Sequence, residues 1–410
     1  MNCETNPETT PEPIGLSSLI LPLYLPTLCI MFGYGMIIPV LPLFARSLAA
    51  GLGATGVIVS MRGAGSLLFD LPAGAIISRF GRLPVLLFAA IAAALAAAAT
   101  GFVGRLAPLG LLTVAMGAMH LLWVLSIQTH IRHNLPSHRR GRAMSLVGGT
   151  ARVGWVLGPI AGGYMGKIYG LQSVYFGQAI VCFVAVILLL MGSSHYRLRS
   201  REQKGEPFQA PGIPFLRTLQ GKGRSFLLVG LVVITLQMLR IGRQTLIPLW
   251  GERIALDVAA IGLIFGLSRA IELLLVYPAG ILMDRLGRKW TAVPCLLLQS
   301  VGVALIPLTG GFSGLLLVSL LAGIGNGLGS GIVLTLGADL SPRASTGEFL
   351  GIWHLTGDIG SMSSPLLIGV FAQGLGLQTA PLVIAGFGLA GAWIMFFRVV
   401  ETLAGKHKDT

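Results

Sequence analysis

Pro278-Ala279-Gly280-Ile281-Leu282-Met283-Asp284-Arg285-Leu286-Gly287-Arg288-Lys289 stands where one long apolar run stops and the next begins. A partner lies 206 residues earlier, in Pro72-Ala73-Gly74-Ala75-Ile76-Ile77-Ser78-Arg79-Phe80-Gly81-Arg82. Each packs glycine, arginine and one small or acidic residue into a turn too short for a loop. Two such turns at matching places mark an internal repeat, the feature to recognise before any other. The same shift carries Pro42 onto Pro248, Gly117 onto Gly323, Pro136 onto Pro342, Gly141 onto Gly347 and Pro159 onto Pro365, with no insertion between them.

Working outward, the chain of 410 residues is 54% hydrophobic and 11% charged, with a mean hydropathy of +0.81. A soluble domain carries about 25% charged residues, so this one lacks the charge to cover a water-facing surface. Apolar runs of roughly 20 residues, the length a helix needs to cross a bilayer, recur throughout. The expectation is an all-α polytopic membrane protein with twelve spans, near 17–44, 53–77, 83–103, 108–131, 142–166, 170–192, 226–247, 258–281, 290–309, 313–337, 348–371 and 380–399. They fall into two pseudo-symmetric six-helix bundles, 17–192 and 226–399, joined by a basic cytoplasmic linker, 193–225. Residues 1–16 read as a disordered cytoplasmic tail and 400–410 as a cytoplasmic C-terminal tail. The alanine-rich third span reads as peripheral scaffold.

Net charge is +14. With these spans, 20 of the 29 Lys and Arg fall on the cytoplasmic side, counting Arg142 and Arg398 at the cytoplasmic ends of their spans, which is the positive-inside bias. That accounts for the charge without nucleic acid and places both termini inside. Cys3, Cys29, Cys182 and Cys295 show no metal-ligand spacing and read as small apolar residues. No HExxH and no GxxxxGK[ST] loop occurs, so no metal, cofactor or enzymatic activity is expected.

These residues carry a resemblance. The chain resembles a twelve-helix transporter of the major facilitator superfamily over essentially its whole length. That family's signature between its second and third helices, Gly-x-x-x-Asp-Arg-x-Gly-Arg-Lys, is matched by Gly280, Asp284, Arg285, Gly287, Arg288 and Lys289. The first copy, with Gly74, Arg79, Gly81 and Arg82, departs at Ser78 and Leu83. Gly154-x-x-x-Gly158-Pro159-x-x-Gly162-Gly163 is similar to the fifth-helix motif of the drug/proton antiporter branch, with Ser145 replacing its first glycine. The first span, with Gly35, Pro39 and Pro42, also resembles that branch. Thr113 stands where many such antiporters carry an arginine before Gly117, so their coupling scheme does not transfer residue by residue. The resemblance implies a cytoplasmic gate at the two turns, with Asp284 accepting bonds from helix-end amides.

Ionisable residues inside a membrane are functional-site hypotheses by default. The spans hold Arg62, Asp70, Arg152, Arg240, Arg243, Arg269, Glu272 and Asp358. In the implied fold the fifth and eighth helices are neighbours, as are the second and eleventh, so depth suggests the pairs Arg152–Glu272 and Arg62–Asp358. Asp70 stands one turn before Gly74 and is a second acid for that gate. Protonation of Glu272, Asp358 or Asp70 is the expected coupling device, with static pairing as the alternative. The implied cavity lies among the first, fourth, seventh and tenth helices and offers Tyr34, His120, Trp123, Gln237, Arg240, Arg243 and Asn326, with Trp353 and His354 adjoining. Arg240 suits an oxyanion, whereas Arg243, near the outer end, has snorkelling as its bland explanation.

The expected function is alternating access by a monomeric secondary transporter of a bacterial inner membrane. The leading reading is proton-coupled export of a small organic or drug-like compound. The alternative is an importer or facilitator of an organic anion or nutrient.

Overall fold

The computed structural model describes residues 20–134, 137–197, 223–341 and 346–401. The N-terminal tail, the centre of the linker and the C-terminal tail beyond Glu401 therefore lie outside the described residues, with the expectations placed on them. Long helices account for nearly everything else. The first span is broken, with a π-turn at Ile20–Tyr24, a helix Leu25–Ile37 and, beyond Pro39, a helix Val40–Ser47. Spans two to six are Leu52–Phe80, Arg82–Gly101, Leu106–Asn134, Ser137–Tyr169 and Leu171–Arg197. Spans seven to nine are Gly223–Arg253, Val258–Leu286 and Lys289–Ala304. The tenth is broken into Phe312–Leu328 and Ile332–Leu340, and the last two are Thr346–Leu375 and Thr379–Phe397.

Eleven of the described spans are long and apolar enough to cross a membrane. Span five, 33 residues long, is absent from that set by composition rather than length, being rich in glycine with Arg152 near its middle. In lipid every backbone polar group must be satisfied internally, which a helix achieves alone. Leu68, Leu95, Phe183 and Leu274 are among many large apolar side chains left exposed, as lipid-facing surfaces require. Span three packs against spans four and six through Ala89, Ala93 and Ala97.

Two hydrophobic cores form, one for each half. The halves meet along two crossings, span two on eleven and span five on eight. Glycine makes both possible. A Cβ built on Gly56 would lie 2.4 Å from the Pro365 carbonyl and 2.8 Å from Gly369 Cα. One built on Gly262 would lie 2.3 Å from the Pro159 carbonyl and 2.9 Å from Gly163 Cα. The 206-residue shift converts one crossing into the other, so the pseudo-two-fold axis runs between them. Gly81 and Gly287, also repeat-related, take φ of +84° and +105° at the signature turns, a region open to glycine at no steric cost.

The bundles close on the face opposite these basic turns. There Arg46 bonds Glu252 at 3.3 Å and Lys167 bonds Asp257 at 2.7 Å, each pair joining the two halves. Toward the basic face they part. Gly148, Gly149 and Gly280 have no neighbour where a Cβ would stand, and Met144 and Leu146 are exposed.

Candidate functional site

Between the bundles lies a cavity of about 470 Å³. Its N-terminal wall carries Arg62, Ser66, His120, Arg152 and Trp155, and its C-terminal wall Gln237, Arg240, Arg269, Glu272, Asn326, Ser330, Asp358 and Ser361. Both broken spans border it, through Ile38, Leu41 and Pro42 in the first and Gly327, Ser330 and Gly331 in the tenth.

Glu272 organises the C-terminal wall. One carboxylate oxygen accepts from Arg243 Nη2; the other accepts from Arg269 Nη1 at 3.0 Å and Asn326 Nδ2 at 2.8 Å. Arg243 also donates to Ser268 Oγ at 2.9 Å, and Ser268 donates to the Ser319 carbonyl at 2.8 Å. Spans seven, eight and ten are thereby tied through one acid. The expected Arg152–Glu272 ion pair does not form. Instead Arg152 Nη2 donates to Ser330 Oγ at 2.9 Å, across the bundle interface.

Arg243 is 3% exposed and ion-paired rather than snorkelling. Span seven runs to Arg253, through Pro248, so Arg243 lies ten residues, about 15 Å at 1.5 Å per residue, from its outer end. Arg240 bonds neutral acceptors through all three of its nitrogens: Nε on Asn326 Oδ1 at 2.6 Å, Nη1 on Gln237 Oε1 at 3.2 Å and Nη2 on the Gly329 carbonyl at 3.0 Å. The last of these caps a carbonyl at the break in span ten.

Arg62 does not pair with Asp358. Its guanidinium lies over the rings of Tyr34, at 5.2 Å, and Trp155, at 5.8 Å, and Arg269 approaches Trp155 at the same 5.8 Å. Asp358 lies beside Asp70 instead, between spans two and eleven, and Asp70 Oδ2 is buried with no hydrogen-bond partner among the described residues. Asp70 therefore faces the interface and a second acid. Tyr34 is fully buried and donates to the Met116 carbonyl at 2.8 Å, while its ring lies 4.7 Å from that of His120. Trp123 is buried, Trp353 donates to the Val333 carbonyl and His354 is exposed, and none of the three is among the residues that line the cavity.

Gly154, Gly158 and Gly162 of the fifth-helix motif abut the backbone of span one at Phe32, Gly35 and Met36. Gly163 and the Pro159 carbonyl abut span eight. The motif thus packs one bundle and forms one inter-bundle crossing. At the second signature turn, Asp284 is exposed and accepts no helix-end amide bond. Glu401 accepts those bonds from Arg288 N and Lys289 N, both at 2.9 Å, because it lies directly over Gly287. Arg288 Nε bonds Asp339 at 2.9 Å, Lys289 lies over Phe396, and Arg285 is exposed. These contacts lie within the C-terminal bundle, so they latch nothing across the interface. At the first turn Ser78 donates to its own helix at Ala75 O, and Arg79 lies over Phe80. Gly74 and Gly81 flank that turn, and Arg82 opens span three.

Sequence reasoning passed over Trp155, Ser330, Ser361 and Gln244. Trp155 stands three residues after Arg152, on the same helix face, and that spacing was the available signal.

Comparisons with known proteins fit this architecture. An uncharacterised MFS-type transporter of Methanocaldococcus jannaschii is 19% identical over 92% of this chain and 97% of its own. Multidrug resistance protein MdtG of Escherichia fergusonii is 30% identical, but over 41% of this chain and 42% of its own. The crystal structure of the peptide transporter POT in complex with sulfate superposes with a TM-score of 0.78 at 14% identity, covering 94% of each chain. That of a D-xylose–proton symporter gives 0.72 at 14% identity, over 94% of this chain and 98% of its own. Residues 23–271 and 230–410 both match the family described as Major Facilitator Superfamily. The chain belongs to the Major Facilitator Superfamily.

Proposed function

We propose that this protein is a proton-coupled carrier that takes up a small organic anion or zwitterion by alternating access across a bacterial inner membrane, with the basic face cytoplasmic. The observation that carries the substrate class is the charge of the cavity. Arg62, Arg152, Arg240 and Arg269 line it, against Glu272 and Asp358. Glu272 is already neutralised by two guanidiniums. An isolated buried cation is heavily penalised, so this wall favours an anion and disfavours a lipophilic cation.

Proton coupling is assigned to Asp70 and Asp358. Two carboxylates that face each other across the interface repel, and a proton taken up by the pair relieves that repulsion. The pair bridges the bundles and is broken when spans two and eleven separate, a rocking motion that would release the proton with the conformational change. Glu272, bound on both oxygens, serves as a fixed link instead. The superposition on a carrier named as a proton symporter adds to the uptake reading. Export is the second reading, favoured by the 41% of the chain that resembles MdtG and by the motif from Gly154 to Gly163.

Reconstitution in liposomes with a trapped pH dye tests both. Under the proposal, added organic anions move protons with them in the same direction. Asp70→Asn and Asp358→Asn abolish that proton movement but leave exchange of labelled for unlabelled substrate. Anion flux with no proton movement overturns the coupling, and proton movement opposite to the substrate establishes export.

A further inference from the structure

Three of the cavity's arginines are accounted for by the protein's own acceptors. Arg269 bonds Glu272, Arg240 has used Nε and both terminal nitrogens, and Arg152 bonds Ser330 through Nη2 alone. Arg62 is different. It lines the cavity, and among the described residues its guanidinium makes no hydrogen bond and no ion pair. Its contacts are aromatic faces. A guanidinium carries five N–H donors in a rigid fork, and leaving them unspent away from bulk water is costly. Cation–π contact with Tyr34 at 5.2 Å and Trp155 at 5.8 Å holds the group in place and leaves its N–H donors without acceptors. Beside it, His120 Nδ1 is also buried with no hydrogen-bond partner.

We infer that Arg62 is the primary ligand for a carboxylate or similar oxyanion of the substrate, with Arg152 as its second ligand, so that the substrate's charged end docks on the N-terminal bundle. This rests on the anionic-substrate reading above and makes it specific. It moves the recognition role away from Arg240, whose bonds to Asn326, Gln237 and Gly329 make it a strut for the break in span ten. Arg152 connects binding to movement. Its bond to Ser330 joins the bundles, and an anion that draws Arg152 toward Arg62 weakens that bond. The indole of Trp155 and the ring of His120, 6.0 Å apart and nearly perpendicular, give the adjoining surface an aromatic character. A short or aromatic carboxylate matches it.

Thermal unfolding of the purified full-length protein in detergent tests the assignment. Benzoate, succinate and phenyl phosphate are the probes, and benzamide and benzylamine the controls, all at one ionic strength. At least one anion is expected to raise the melting temperature in a saturable way, and neither control to do so. Arg62→Gln is expected to raise the melting temperature of the ligand-free protein, because it removes an unpaired buried cation, and to weaken anion binding at least tenfold. Arg62→Lys, which keeps the charge without the fork, falls between, and Arg152→Gln also weakens binding. If Arg62→Gln binds the anion as the wild type does, or if it melts lower or fails to fold, the assignment to Arg62 is overturned while the anionic-substrate reading stands. If no anion in the panel stabilises the wild-type protein, the reading beneath it falls.

Discussion

Replacing Glu272 by Gln probes the strongest polar link in the structure. The carboxylate accepts from Arg243, Arg269 and Asn326, and its side chain is 11% exposed beside an Arg243 that is 3% exposed. Breaking a buried ion pair by removing one partner costs about 3–5 kcal/mol, because the remaining charge is left uncompensated. Glutamine keeps one acceptor oxygen, which can serve one of the three donors, so the loss should fall near the lower end, about 3 kcal/mol. It should appear as a lower midpoint in denaturant titration in mixed micelles, read by the change in helicity. In the double variant Glu272→Gln/Arg243→Gln the stranded cation is gone, so its loss should be smaller than the sum of the single losses by at least about 1.5 kcal/mol. A single-variant loss below about 1 kcal/mol, or strict additivity, would refute the argument that Glu272 is the hub of this wall. Glu272→Gln should also retain proton-driven transport in the protein that remains folded, which separates its structural role from that of Asp70 and Asp358.

Other outcomes follow from the interface and the turns. Gly56→Val and Gly163→Val each drive a side chain into the opposing backbone, where a Cβ would already stand 2.4 Å and 2.7 Å from a carbonyl oxygen. Spin-label distances between the outer ends of the bundles should lengthen by several ångströms, and an unchanged distance would contradict the close-approach account. The hydrogen bond from Lys167, and then that from the Ala260 N–H, hold the Asp257 carboxyl below the usual carboxylate range, and Asp257 in turn holds the Lys167 ammonium above its usual value. The pair's contribution is therefore full above the ordinary carboxylate pKa and is lost as pH falls through the depressed folded value. The same outer distance should lengthen on acidification in the wild type, less so in high salt, and should not respond in Asp257→Asn. Glu401→Ala removes the acceptor for two helix-start amides and should cost about 1–2 kcal/mol, measured by the same micellar unfolding.

The span architecture was legible because it depends on length and apolarity, and the repeat because glycine and proline keep their places where backbones cross. The charge pairs were not legible in the same way. Depth along a helix was estimated from its ends, and an end drawn at Ile247 put Arg243 near the surface. In the structure that helix continues through Pro248 to Arg253, and Arg243 becomes the partner of Glu272. Azimuth was the other missing quantity. Arg152 and Glu272 lie on neighbouring helices, but Glu272 points into its own bundle, toward Asn326 and Arg243, where three donors converge.

The repeat carried more information about the cavity than a search for charged residues did. Shifting the N-terminal wall by 206 residues takes Gly63 to Arg269, Ser66 to Glu272, His120 to Asn326, Arg152 to Asp358 and Trp155 to Ser361, and both members of every pair line the cavity. Position is conserved across the pseudo-two-fold axis while chemistry is not. Two identical walls would present identical charge to a substrate and to each other, so any ion pair across the axis would need its own mirror image. Here the acid-rich crossing, Asp70 with Asp358, has as its repeat equivalent Val276 with Arg152. One crossing can change charge by taking or losing a proton, and the other holds a fixed cation. Geometric equivalence lets the bundles rock as a symmetric pair. Under the proposal, chemical inequivalence separates the two tasks, proton exchange at Asp70 and Asp358 and anion recognition at Arg62 and Arg152.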